Sequence, residues 1–183
     1  MTMRVTVYLG ASLGKDDSFK EATLELGQWL VDSGYDLVYG GSKVGLMGIL
    51  ADTVLAGGRQ VFGYIPTFLR DREIAHAGLT DLTVVETMSE RKQLMIEKGD
   101  ILLALPGGPG TLEEISEAIS LARVGQHDKP CILLNINGYY NPLKAQFEAM
   151  VASGFLDAKV AQKTLFADNL DQIERFLASQ GYK

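Results

Sequence analysis

Short, almost wholly apolar runs alternate along the chain with longer segments in which apolar residues recur at helical spacing. Six runs have the length and composition of β-strands, at residues 5–9, 36–39, 60–65, 82–85, 101–105 and 131–136. Residues 18–32 and 44–56, which lie between the first three runs, place apolar side chains on one face of a helix. This alternation of strands and helices is typical of βαβ units.

The strand runs are apolar on both sides, as expected for a parallel sheet that helices cover on both faces. We therefore predict a doubly wound, Rossmann-like α/β fold in which residues 1–183 form a single domain. Helices predicted at 142–152 and 169–179, on either side of a short run at 164–166, are expected to cover the sheet. Residues 66–81 form the longest irregular stretch, and such stretches often serve as lids.

Charge and residue usage exclude several classes of function. Lysine and arginine number 17 against 23 aspartates and glutamates, and a net charge of −6 gives no general attraction to nucleic acid or to an anionic membrane. One cysteine, Cys131, and two histidines, His76 and His127, predict neither a metal site nor a disulfide. No cofactor is expected. The longest apolar run, at 101–105, is far short of the ~20 residues of a membrane helix, and with no apolar leader segment we expect a cytoplasmic protein.

Three glycine-rich loops, at residues 10–14, 40–48 and 106–111, follow predicted strands, where parallel sheets bind their ligands. Glycine lets main-chain N–H groups approach an anion, and the following helix start adds partial positive charge. The dinucleotide pattern G-x-G-x-x-G fails because Glu113 stands where the third glycine belongs, and no P-loop pattern occurs. The loops therefore predict a phosphate site that lacks both of these signatures.

Glu114, just beyond the third loop, has two interpretations. Thr111 is predicted to cap the next helix, and Thr111 with Glu114 has the spacing of a capping box. Alternatively, a carboxylate beside a phosphate site serves a reaction near the sugar. Glu113 projects roughly 100° around the helix, so only one of the two is expected to face the reacting atoms. The buried face of this helix is predicted to comprise Leu112, Ile115, Ile119 and Ala122.

Arg91 lies on the apolar stripe of the preceding helix, whose start is predicted by the capping box Thr87 and Glu90. A guanidinium on a buried face requires an anion. That anion is either part of a functional site or a structural partner such as Asp100. Lys92, which follows Arg91 in the chain, is expected at the edge of the site.

Two motifs resemble those of the Lonely Guy family, the cytokinin riboside 5′-monophosphate phosphoribohydrolases. Residues 106–114, PGGPGTLEE, match P-G-G-x-G-T-x-x-E, and residues 88–92, MSERK, match M-x-x-R-K. The resemblance extends to Gly10-Ala-Ser12 and to the second glycine loop. Pro109 and Ser120 depart from the residues that are frequent in the family.

The resemblance implies hydrolysis of the N-glycosidic bond of an N6-modified AMP, with Arg91 and Glu114 as the catalytic pair. It also implies a homodimer, for which the helix that begins at Met88 could supply the interface. The positions that it implies for nucleotide binding are Gly10, Ser12, Gly41, Met47, Glu73, Lys92, Gly107, Gly108, Pro109, Gly110, Thr111, Leu112, Glu113 and Ser120.

Two alternatives are a general AMP nucleosidase and a non-catalytic carrier of a nucleotide or of the molybdenum cofactor, whose carriers look similar in fold. Many relatives carry a lysine decarboxylase label, but no lysine for a pyridoxal-phosphate Schiff base is identifiable.

Overall fold

The computed structural model describes residues 2–72 and 74–182, which contain one seven-stranded parallel sheet in the order β4-β3-β2-β1-β5-β6-β7. The strands are β1 (Arg4–Tyr8), β2 (Asp36–Tyr39), β3 (Val61–Pro66), β4 (Asp81–Val85), β5 (Ile101–Ala104), β6 (Cys131–Leu134) and β7 (Thr164–Ala167). The helices are α1 (Asp17–Asp32), α2 (Gly45–Ala56), α3 (Thr67–Arg70), α4 (Met88–Lys98), α5 (Pro109–Arg123), α6 (Asn141–Ala152), α7 (Ala158–Ala161) and α8 (Leu170–Ser179). The predicted Rossmann-like fold class is confirmed.

The sheet is covered on both faces, which explains why its strands are apolar throughout. Alternate residues of β1 belong to different cores, since Val5 and Val7 pack with α1, α2 and α8. Tyr8 packs instead with residues of α4 and α5, such as Met95 and Ile115. The period-two geometry of a strand sends neighbouring side chains to opposite faces, so a strand covered on both faces needs two apolar surfaces.

Three details differ from the sequence prediction. The short run near residue 164 is a full edge strand, β7, paired in parallel with β6, so the C-terminal helices flank a strand. The predicted irregular stretch 66–81 contains the short helix α3, and its residue Ala75 forms an antiparallel bridge with Ser42. Leu112, expected on the buried face of α5, is 45% exposed, because this face begins at Thr111 and Glu114.

The strand order reverses between β1 and β5, which pair with each other along their whole length. The connections that follow the carboxyl ends of β1 and β5 run to opposite sides of the sheet. A crevice therefore lies between these two connections. Among the described residues, no helix is both long and apolar enough to span a bilayer.

Candidate active site

A cavity of about 450 Å³ lies at this crevice, beyond the carboxyl ends of β1, β2, β3 and β5. The apolar part of its lining comprises Met47, Ile65, Leu69, Ile74 and Met95. The lining also includes the loop after β1, the first turn of α5 and two buried charged side chains, Arg91 and Glu114. The cavity thus combines an apolar surface with main-chain N–H groups and an ion pair.

The guanidinium of Arg91 is fixed by main-chain acceptors. Arg91 lies in the second turn of α4, which begins after the N-cap Thr87, whose side chain accepts from Glu90 N. Its Nε donates to Tyr64 O at 2.8 Å and its Nη2 donates to Gly40 O at 3.1 Å. Any Cβ at residue 40 would collide with Nη2, so glycine is needed there for this close approach. Two carbonyls therefore set the position of the guanidinium.

Glu114 completes the buried pair, with Oε1 at 3.3 Å from Arg91 Nη1. Both side chains are only 9% exposed. Burial raises the pKa of Glu114 to about 7, although the charge of Arg91 acts in the opposite direction. A carboxylate of this kind changes its protonation state near neutral pH, as acid–base and electrostatic groups of enzymes often do.

The capping interpretation of Glu114 is wrong. The N-cap of α5 is Gly108, and Thr111 is already the third helical residue, so Thr111 and Glu114 cannot form a capping box. Thr111 is buried against Gly107 instead. The expected structural partner of Arg91 is wrong as well, because the Asp100 carboxylate accepts from Arg4 N. Both errors follow from placing the start of α5 three residues too late. The position at which a helix starts determines which of its side chains face a neighbouring helix, here α4.

The first turn of α5 offers main-chain donors to an anion. The first N–H groups of a helix have no intrahelical acceptor, which leaves those of Gly110 and Thr111 available. Pro109 supplies no N–H, but at the start of the helix this group would be unpaired in any case. These three residues and Gly108 line the cavity. The helix start therefore directs unpaired main-chain N–H groups to the cavity without the help of basic side chains.

The three glycine loops touch one another around this site. A Cβ on Gly10 would lie 3.5 Å from Gly107 Cα, so the first and third loops are packed together. Gly45 has φ +60° and leaves no room for a side chain beside the Ala11 carbonyl, which joins the second loop to the first. Gly41, at φ +76°, turns the chain after β2. Ser12 and Met47 from these loops line the cavity.

Of the expected binding residues that the structure describes, seven lie outside the cavity lining: Gly10, Gly41, Lys92, Gly107, Leu112, Glu113 and Ser120. Lys92 Nζ is 2.7 Å from Glu113 Oε1 and 2.8 Å from Glu117 Oε2, which forms an ion-pair cluster beside the site. Leu112 faces outward, and Ser120 is exposed three turns along α5. Glu73 lies outside the described residues. Sequence reasoning missed Glu117, although its spacing of four residues from Glu113 puts both on one helix face.

Two tyrosines that sequence reasoning missed support the third glycine loop. Tyr139 OH donates to Gly107 O, and Tyr140 OH donates to Leu105 O at 2.7 Å. They are held after β6 by Asn135, whose Oδ1 accepts from Tyr140 N. The only signal in the sequence was their position after a buried strand, at the edge of the sheet where the site lies.

The described parts of the stretch after β3, residues 67–72 and 74–80, contribute to the cavity lining. Lys43 N donates to Ile74 O at 2.8 Å, and His76 N donates to Gly41 O at 2.9 Å. These bonds add a short antiparallel segment to the second glycine loop. Leu69 and Ile74 reach the cavity from this stretch.

The residues of the cavity do not fit a pyridoxal-phosphate or metal centre. Within residues 2–72 and 74–182, no lysine lines the cavity and no group of three metal-binding side chains occurs. A Schiff base to pyridoxal phosphate needs a lysine amine at the site. The side chains around the cavity therefore give no support to a lysine decarboxylase reaction.

Comparisons with known proteins agree with the motif resemblance. A family model described as "possible lysine decarboxylase" matches residues 47–176. A probable cytokinin riboside 5′-monophosphate phosphoribohydrolase of Oryza sativa subsp. japonica is 45% identical over 172 residues, covering 94% of this chain and 77% of that protein. A cytokinin riboside 5′-monophosphate phosphoribohydrolase of Arabidopsis thaliana is 42% identical over 174 residues, with 95% and 80% covered.

Similar solved structures show the fold alone. The molybdenum cofactor binding protein from Rippkaea orientalis has a TM-score of 0.72 at 20% identity, covering 98% of this chain and 97% of that one. The molybdenum cofactor carrier protein of Chlamydomonas reinhardtii has a TM-score of 0.71 at 20% identity, covering 97% and 99%. By the identity and coverage of its curated relatives, the chain belongs to the Lonely Guy family of cytokinin riboside 5′-monophosphate phosphoribohydrolases.

Proposed function

We propose that this protein hydrolyses the N-glycosidic bond of an N6-modified adenosine 5′-monophosphate. Water adds to C1′ of the ribose, the bond from C1′ to N9 breaks, and the products are the free base and ribose 5-phosphate. The observation that carries this proposal is the buried Arg91–Glu114 pair beside a helix start that can hold a phosphate. The names of the plant relatives support the same reaction.

Glu114 addresses the charge that develops on the sugar. Breaking a glycosidic bond builds positive charge on the ribose ring, which an ionised carboxylate near C1′ stabilises, and the same carboxylate can orient the attacking water. Arg91 contacts Glu114 and two carbonyls, so we assign it the role of positioning the carboxylate and the sugar hydroxyls. Arginine is a poor proton donor, and no proton transfer is assigned to it.

The phosphate and the base are assigned to opposite sides of the pair. The first turn of α5 would bind the 5′-phosphate through the main chain of Gly110 and Thr111. The apolar part of the cavity lining, with Met47 and Ile74, would accept the purine and its N6 substituent. Binding through main-chain groups fits a protein whose net charge is negative.

Product analysis tests the proposal. The protein is incubated separately with N6-isopentenyl-AMP, AMP and N6-isopentenyladenosine, and free base and ribose 5-phosphate are quantified. We expect release from the first substrate and none from the riboside, which lacks the phosphate. Equal release from AMP would identify a general AMP nucleosidase, and binding of both nucleotides without release would identify a carrier.

A homodimer in the cytoplasm belongs to the same proposal. Leu112, in the first turn of α5, is an apolar side chain that is 45% exposed. A second copy that covers this surface would remove it from water. Light scattering on the purified protein would give the mass of a dimer, and fractionation of the source cells would place it among cytoplasmic proteins.

A further inference from the structure

Tyr8 carries a buried hydroxyl that the fold leaves without a partner. It is the last residue of β1, only 1% of its surface is exposed, and its hydroxyl has no hydrogen-bond partner among the described residues. An unpaired buried hydroxyl is costly, so most such groups are bonded. Two other buried tyrosines follow that rule, since Tyr39 OH donates to Ser42 O and Tyr140 OH to Leu105 O.

Tyr8 lines the same cavity as Glu114. Tyr8 lies in the core between the sheet and helices α4 and α5, opposite Ala104 of β5, whose small side chain leaves room for the ring. Burial and then the negative charge of Glu114 raise the pKa of Tyr8 well above its ordinary value, so the phenol stays protonated. A protonated phenol can only donate to a carboxylate.

Glu114, for its part, is held loosely. Its contact with Arg91 is an ion pair of 3.3 Å, longer than a good charge-assisted hydrogen bond. Neither of its oxygens accepts a hydrogen bond from the part of the chain that the structure describes. A donor without an acceptor and an acceptor without a donor therefore belong to residues that line one cavity.

We infer that Tyr8 is a positioning residue of the active site, whose hydroxyl donates to the ionised Glu114 carboxylate after a small side-chain rotation or through one water molecule. The inference rests on the proposed function, in which Glu114 works as a carboxylate. With Arg91 on one oxygen and Tyr8 on the other, the carboxylate is fixed in direction and favoured in its ionised form.

The remaining charged groups around Glu114 do not take this role. Lys92 of α4 is occupied by Glu113 and Glu117. Those two carboxylates are acceptors and repel the charge of Glu114. Cys131 of β6, the other ionisable group near Tyr8, donates through Sγ to Lys129 O. Among the ionisable groups near Glu114 in the described structure, Tyr8 is thus the neutral one whose hydrogen is free to be donated.

The substitution Tyr8→Phe tests the inference, because it removes the hydroxyl and keeps the ring. Glutamates are labelled with ¹³C at the carboxyl carbon, the signal of Glu114 is assigned by its loss in Glu114→Gln, and its pKa is measured by NMR. Since a hydrogen bond to a carboxylate lowers its pKa, we expect Tyr8→Phe to raise the pKa of Glu114 by about one unit. Tyr39→Phe, which removes a hydroxyl bonded elsewhere, is the matched control and should leave that pKa unchanged.

Two results would overturn the inference. One is an unchanged Glu114 titration together with a higher melting temperature, which is the signature of an orphan hydroxyl with no role. The other is a shift of the Glu117 signal in place of that of Glu114. Neither readout needs a substrate, so a protein without hydrolase activity would refute the proposed function while leaving this test intact. If the activity is found, the acidic limb of kcat/KM should move to higher pH by the same amount as the pKa.

Discussion

Arg91 Nη1 lies 3.3 Å from Glu114 Oε1, and each of these two charged side chains is only 9% exposed. The arginine is anchored by the carbonyls of Tyr64 and Gly40, whereas the carboxylate is anchored by the arginine alone. The anchored cation thus determines where the movable anion lies.

Arg91→Ala should damage both activity and stability. Removing one member of a buried pair leaves an uncompensated charge, which costs about 3–5 kcal/mol when that charge persists. Glu114 escapes part of this cost by taking up a proton, and a protonated Glu114 cannot stabilise the sugar cation. We expect kcat/KM to fall by about 100-fold or more, with a lower melting temperature.

Arg59→Ala is the matched control for that variant. Arg59 Nη2 lies 2.7 Å from Asp36 Oδ1 at the opposite end of the sheet, away from the cavity. Its loss should lower the melting temperature and leave kcat/KM within about twofold. Equal kcat/KM in the two variants would show that the Arg91 pair is structural only.

Gly40→Ala should impair catalysis through Arg91. The backbone of Gly40 does not have a positive φ, so alanine causes no backbone strain there. The added Cβ would collide with Arg91 Nη2 and displace the guanidinium. Because small displacements of a positioned group can cost about 100-fold in rate, we expect kcat to fall by about tenfold or more. Steady-state kinetics check this, and wild-type kcat would mean that the position of the guanidinium is not critical.

The fold could be predicted from the sequence because its pattern is repeated many times. Each strand and helix of the βαβ units carries its own apolar signal, and an error of one or two residues at an end does not change the fold. The edge strand β7 was missed because a four-residue run that is only partly buried resembles a loop. Its pairing with β6 depends on tertiary contacts that no local pattern encodes.

For the site, the sequence identified some of the residues and missed others. The motifs located Arg91 and Glu114. The partner of Arg91, however, depends on the residue at which α5 starts. Gly108 occupies the N-cap position and has no side chain that could mark it as a cap in the sequence. Tyr139 and Tyr140, which follow β6, bond the third glycine loop through single hydroxyls, and the role proposed for Tyr8 at the end of β1 also rests on a single hydroxyl. A single tyrosine forms no spacing pattern in the sequence. The sequence therefore does not distinguish a tyrosine whose hydroxyl bonds a site residue from one whose ring packs in the core.

The stability of wild type and Glu114→Gln should diverge with pH. Burial raises the pKa of Glu114 from 4.5 to about 7. Between these values the folded protein binds more protons than the unfolded chain, so this group lowers the free energy of unfolding as pH rises. Glutamine does not titrate, and we expect Glu114→Gln to gain about 3 kcal/mol relative to wild type from about pH 4 to about pH 8. Urea unfolding across that range measures the difference, and a constant difference would show that Glu114 titrates normally.

Tyr139→Phe should weaken binding of the phosphate. The hydroxyl of Tyr139 bonds the Gly107 carbonyl, which fixes the peptide whose N–H belongs to Gly108, a residue of the cavity lining. A lost hydrogen bond of about 1 kcal/mol corresponds to about a fivefold rise in KM, with kcat little changed. Calorimetry with ribose 5-phosphate should show the same loss of affinity. Tyr35→Phe, at the other end of the sheet, is the control, and equal KM values in the two variants would remove Tyr139 from the site.

The central claim is that the negative charge of Glu114 drives the reaction. Glu114→Gln keeps the shape of the side chain and removes the charge, and Glu97→Gln, at an exposed glutamate of α4, controls for the loss of one acid. The most direct test is single-turnover release of the base from N6-isopentenyl-AMP, measured together with the dissociation constant of the nucleotide. The account predicts a rate at least about 100-fold lower in Glu114→Gln with a dissociation constant within about threefold of wild type. A release rate within about threefold of wild type would contradict it.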